Sequence, residues 1–209
     1  MSLKHKKMSP NKKWDFWNGK GGPKYPHEKV VQFCFRHYPS YEQRQAIRVL
    51  DLGCGSGVNC LFLAKEGFQV TGTDISKIGV LNTKRKLGEF NLQADLRVEK
   101  VDILNFPDNF FDLIICVSVY ECTGLHAAKA SLEKIPPLLT KQGKGIFIFA
   151  SDRDFRIQGE NSLGLYGYHQ EEVENMFLNK FSQVYIDRYI TTYQSQQLEQ
   201  NDWLITVEK

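Results

Sequence analysis

The sequence predicts an α/β fold: a mainly parallel sheet covered by helices on both faces. Three observations carry this expectation. Short apolar runs alternate with amphipathic stretches between residues 47 and 150. One of these runs, Phe111 to Val117, is almost continuously apolar, as in a strand buried on both faces. The first run ends in a glycine-rich turn that leads directly into a helical stretch. Strand–helix alternation of this kind gives parallel strands joined by helical crossovers, and 209 residues suffice to bury one core without disulfides or metal.

Taken in order, Trp14 to Trp17 with Gly19 to Pro26 joins three large aromatics to a Gly-Gly-Pro segment, and Pro26 is placed to start a helix through Phe33 and Phe35. A boundary is expected near Ser40. Ile47 to Leu52 reads as the first strand, Val58 to Lys65 as a helix, and Gln69 to Asp74 as the second strand. Ser76 is a helix cap with Val80, Leu81, Leu87 and Phe90 as the apolar positions behind it. Leu96 to Val101 and Phe111 to Val117 are the next strands. Leu125 to Leu139 follows as a helix, which Pro136-Pro137 should end or kink at about Ile135. Gly145 to Ala150 is a fifth strand, Glu171 to Asn179 a helix, and Phe181 to Ile190 and Trp203 to Val207 alternate like half-buried strands.

The chemistry lies in Asp51-Leu52-Gly53-Cys54-Gly55-Ser56-Gly57. Its glycines allow a tight turn and let a ligand approach backbone N–H groups at the head of the next helix. Asp74 closes the second strand 21 residues after Gly53, a separation that suits a carboxylate accepting from two ribose hydroxyls. These features fit any adenosine-bearing cofactor, and Asp51 discriminates among them. A carboxylate beside the turn repels the pyrophosphate of NAD and attracts the ammonium of S-adenosylmethionine. A charge-assisted contact of roughly 1.5 to 3 kcal/mol biases that choice by one to two decades. The glycine spacing also departs from G-x-G-x-x-G, because Val58 stands at the sixth position. Asp102, one residue beyond the third strand, is a candidate acceptor for the adenine amino group, with Ile103 packing on the ring.

Together these residues resemble the class I, Rossmann-like methyltransferase family over about Ile47 to Ala150. The resemblance implies a three-layer, doubly wound sheet of seven strands in the order 3-2-1-4-5-7-6, mostly parallel with the last strand antiparallel, and Phe181 to Ile190 and Trp203 to Val207 suit its final hairpin. It implies S-adenosylmethionine as cofactor: the turn from Asp51 through Gly53, Cys54, Gly55 and Gly57 would contact the methionine part. Asp74 and Ile75 would meet ribose and adenine, Asp102 and Ile103 the adenine, and Cys116 and Val117 would lend backbone at the amino-acid end.

Ligands of open α/β sheets bind outside the carboxyl ends of the strands, so the methyl acceptor is expected beneath an N-terminal lid and helix (residues 14–45), which follow a flexible basic tail (1–13) and precede the cofactor domain (46–209). Trp14, Trp17, Tyr25, Tyr120, His126 and Tyr166 are the candidate acceptor contacts. No general base is assignable, and in-line positioning supplies most of what methyl transfer requires. A surface or structural role is the favoured reading of His126 and, more strongly, of His27.

Metal binding is a poor reading. Neither Cys54 with Cys60 nor Cys116 with Cys122 has matching partners, and Asp152 and Asp154 are better suited to loop hydrogen bonding. The five cysteines form no CxxC pair and no apolar leader is expected, which fits a reducing cytoplasm. The longest apolar run is far short of a membrane span. Residues 1–29 hold eight lysines against Asp15 and Glu28, so this segment carries +6 of a total net charge of +3 and the remainder is −3. A small-molecule acceptor is therefore expected rather than nucleic acid, there being no Asn/Asp-Pro-Pro-Tyr after the fourth strand and no Pro-Cys dipeptide. RNA or protein methylation and a non-catalytic S-adenosylmethionine-binding role are the alternatives; oligomeric state is left open.

Overall fold

A computed structural model of the chain describes residues 9–158 and 164–209. Seven strands form one sheet in the order β3-β2-β1-β4-β5-β7-β6: β1 Arg48–Leu52, β2 Gln69–Asp74, β3 Asp95–Val98, β4 Phe111–Val117, β5 Leu139–Ala150, β6 Gln183–Tyr193 and β7 Leu198–Glu208. The first five strands pair in parallel and β7 runs antiparallel to both β5 and β6, so the expected sheet order and direction are met. The helices are α1 Pro10–Gly19, α2 Glu28–His37, α3 Tyr41–Arg44, α4 Val58–Lys65, α5 Lys77–Gly88, α6 Tyr120–Thr123, α7 Leu125–Leu138 and α8 Gln170–Phe177.

The central strands sort their side chains by parity. Leu50, Ile114, Cys116, Phe147 and Phe149 face a core closed by α7 and α8, while Val49, Leu113, Ile115, Ile146 and Ile148 face a second core closed by α2 and α4. Both faces are thus apolar, which is why β4 reads as an uninterrupted run.

Several boundaries move. Helix α1 begins at Pro10, so residues 10–13 of the expected tail are helical; residues 1–8 lie outside the described residues. Helix α7 carries Pro136 and Pro137 within it instead of ending at Ile135. The prolines fall in its last turn, where the Ile135 carbonyl still accepts from the Leu139 N–H and the carbonyls of Pro137 and Leu138 accept from Asn109 and Phe110 at 2.8 and 2.9 Å. Keeping the turn buries Leu138. Leu81 and Phe90 are exposed at 50% and 49%, so α5 packs through Val80, Thr83 and Leu87 instead.

Candidate functional site

The turn after β1 is shaped by close packing. Gly53 has φ +76° and a Cβ there would stand 2.3 Å from a methyl of Val119; Gly57, φ +79°, would meet Thr83 at 2.5 Å. Neither position admits a side chain, and the turn is held in one course. The Gly55 N–H donates to Asp74 Oδ2 at 2.8 Å and the Ser76 N–H to Oδ1 at 2.7 Å, so the carboxylate ending β2 also fixes the turn after β1. Burial pushes the Asp74 carboxyl up from its ordinary range, against the pull of these two N–H groups. Each oxygen keeps a lone pair for a further donor.

This turn opens on a cavity of about 520 Å³. Gly53, Cys54, Gly55, Asp74, Ile75, Asp102 and Val117 line it, together with Trp14, Trp17 and Tyr25. Three expected cofactor contacts are not in its wall. Gly57 serves the packing of α4 on α5. Ile103, 54% exposed, borders an adjoining shallow depression with Ile75, Val98 and Lys100. Asp51 is 1% exposed behind the turn and accepts from the Cys60 thiol at 3.1 Å. Its burial raises the carboxyl to about 7. Asn59 also hydrogen-bonds Asp51, and its own Oδ1 is buried without a partner on a residue that lines the cavity. An unpaired acceptor beside a buried carboxyl matches a ligand's ammonium group, so these residues fit the amino-acid end of S-adenosylmethionine.

Three expected acceptor contacts are corrected. Tyr120 is fully buried in the α7–α8 core, its hydroxyl facing Ser131. His126 is exposed; its neighbour Ala127 lines the cavity instead. Tyr166 donates to Glu172 at 2.5 Å and stacks edge-on against Tyr168. Helical phase and loop pairing, which the local sequence does not reveal, turn all three away. Asp154 accepts from Arg156 and from the Asn201 N–H, and Asp152 pairs with His169, so both serve the loop. Among the described residues no group of three or more His, Cys, Asp or Glu is arranged to hold a metal ion.

Helix α1 is attached by contacts that the sequence does not foretell. Asp15 Oδ1 accepts from the Ser76 hydroxyl at 2.7 Å and from the Ile78 N–H at 3.1 Å, capping α5 from outside. Asn18 Oδ1 accepts from Ser56 at 3.0 Å, and the Asn18 carbonyl from Asn82. These pairs are 38 to 64 residues apart, and no local pattern announces them. His27, Ser118, Cys122 and Thr123 are further lining residues outside the expected set.

Glu121 is 2% exposed, one carboxylate oxygen lacks any partner, and burial raises it to about 8 from an ordinary 4.5. The folded state therefore binds more protons than the unfolded one between these values, and the carboxyl's contribution to stability falls as pH rises through about 8. Glu121→Gln is expected to stabilise the fold by on the order of 2 kcal/mol at pH 9 while being nearly neutral at pH 5. Thermal unfolding at the two pH values reads this, and an equal effect at both would contradict it.

The family profile described as a methyltransferase domain matches residues 49–143, the span that holds the turn, Asp74 and Asp102. Over that span the chain is similar to a methyltransferase domain. The chain is 30% identical over 122 residues to a ubiquinone biosynthesis O-methyltransferase of Chelativorans sp., covering 57% of this chain and 46% of that protein. It is 27% identical over 143 residues to one of Coxiella burnetii, covering 68% and 59%. The match thus spans about half the length of these relatives. A SAM-dependent methyltransferase structure from Methanosarcina mazei superposes with TM-score 0.67 at 18% identity over 84% of this chain and 96% of that one, a likeness of fold.

Proposed function

We propose that this chain transfers the methyl group of S-adenosylmethionine to a small molecule held between the sheet edge and α1. What supports the reading most is one arrangement: the Asp74 carboxylate fastens the glycine turn, and the cavity that both line is also lined by Trp14, Trp17 and Tyr25. When bound, S-adenosylmethionine supplies a methyl group already activated by its sulfonium. The protein's part is to bind, orient and exclude water. Asp74 holds the sugar, Asn59 with Asp51 the ammonium, and Asp102 the base. The aromatics of α1 and of the segment after it close over the acceptor, so 14–45 acts as a lid.

The cavity is apolar in most of its wall, unlike a groove for a charged polymer, which favours a small acceptor over RNA or protein. Five free cysteines accord with a reducing, cytoplasmic setting, and no helix among the described residues is long and apolar enough to cross a membrane.

Because Asp15 joins the lid to the residues beside Asp74, Asp15→Ala is expected to speed cofactor release roughly tenfold while leaving the fold intact. Stopped-flow displacement of S-adenosylhomocysteine measures the rate, and an unchanged one removes Asp15 from the closure. The acceptor class is tested by transferring labelled methyl from S-adenosylmethionine into the metabolite, RNA and protein fractions of a cell extract. Label in metabolites supports the proposal; label confined to RNA or protein overturns it.

A further inference from the structure

We propose that His27 is the hydrogen-bond donor that reads an oxygen on a flat, aromatic acceptor. The inference rests on the methyltransferase reading for the identity of the bound molecule, but not for the state of the imidazole.

His27 caps α2: its Nδ1 accepts from the Lys29 N–H at 3.2 Å. That bond commits the Nδ1 lone pair and places the proton of the neutral ring on Nε2. The ring is held edge-on to Tyr189, with centroids 5.2 Å apart, and it lines the cavity with Trp14, Trp17, Tyr25 and Pro23. No hydrogen bond is made at Nε2 among the described residues, so the ring presents one uncommitted N–H.

Burial is the main influence lowering the ring's pKa, joined by Lys29 and Arg156 and opposed by Asp202 and Glu28, so the neutral form is favoured. A neutral ring with its proton on Nε2 donates there, and its one acceptor, Nδ1, is already taken by the Lys29 N–H. His27 is thus a reader of carbonyl, carboxylate or phenolate oxygen rather than a general base. The indoles of Trp14 and Trp17 and the phenol of Tyr25 in the same wall suit a planar ring, which aromatic side chains stack against.

The test is nitrogen-15 NMR of the full chain, with benzoate and benzylamine as probes, with and without saturating S-adenosylhomocysteine. The expected result is an Nε2–H tautomer of His27 at pH 7 and a saturable shift of that resonance by benzoate, not by benzylamine. In His27→Leu, benzoate affinity should drop roughly tenfold, whereas His27→Gln, which keeps an N–H, should retain most of it. An Nδ1–H or charged ring, equal response to both probes, or undiminished benzoate binding in His27→Leu overturns the proposal. Failure of the cofactor reading shows separately, as absent S-adenosylhomocysteine binding, while the tautomer is read without any cofactor.

Discussion

Gly53→Ala is expected to destabilise the protein by about 3 kcal/mol and to abolish cofactor binding. Two costs combine. The backbone is at φ +76°, where a side chain costs on the order of 1 kcal/mol or more. The added methyl would also lie 2.3 Å from a Val119 methyl, and overpacking of this sort typically costs about 1–3 kcal/mol. Relief of the clash must move either Val119 or the turn, and both line the cavity. Gly53→Ala with Val119→Ala should recover the packing part and leave the backbone part, which chemical unfolding resolves as a coupling between the sites. Gly19→Ala is the control: a methyl there would have no atom within 4 Å and no positive φ is required, so stability should hold or rise slightly. Equal stability of Gly53→Ala and the wild type would show that the turn is not constrained as described.

The second large effect is at Asp74. Asp74→Ala removes the acceptor for the Gly55 and Ser76 N–H groups, leaving two buried donors unpaired at about 1–3 kcal/mol each. It also removes the oxygens proposed to accept from two ribose hydroxyls. Affinity for S-adenosylhomocysteine should fall by roughly tenfold or more. Asp74→Asn, which keeps one acceptor oxygen, should fall between the two. Calorimetric affinity unchanged in Asp74→Ala would exclude Asp74 from the site.

The glycine turn and the carboxylate that fastens it were legible because their determinants are local. Gly53, Gly55 and Asp74 sit at strand ends, where turn chemistry and strand periodicity leave marks in the sequence, and all three line the cavity or fasten it. Asp51 was legible as an acid but not in its position: burial behind the turn depends on Cys60 and Asn59 in the following helix, and it is Asn59 that reaches the cavity wall. The acceptor side was poorly legible for a related reason. Tyr120, His126 and Tyr166 follow strands in sequence, but α6, α7 and the pairing with Glu172 and Tyr168 orient them elsewhere. His27 and Asp15 act through partners far along the chain, at Tyr189 and at Ser76 and Ile78. Pro136-Pro137 misled because a helix breaker in the final turn removes few bonds, and tertiary donors from Asn109 and Phe110 restore the carbonyls.

The most direct test of the central claim is isothermal titration of the full chain with S-adenosylhomocysteine, run beside NAD. The expected result is saturable binding at one ligand per chain, lost in Asp74→Ala, and no measurable binding of NAD. Binding of NAD in preference to S-adenosylhomocysteine, or no binding of S-adenosylhomocysteine at all, would contradict it.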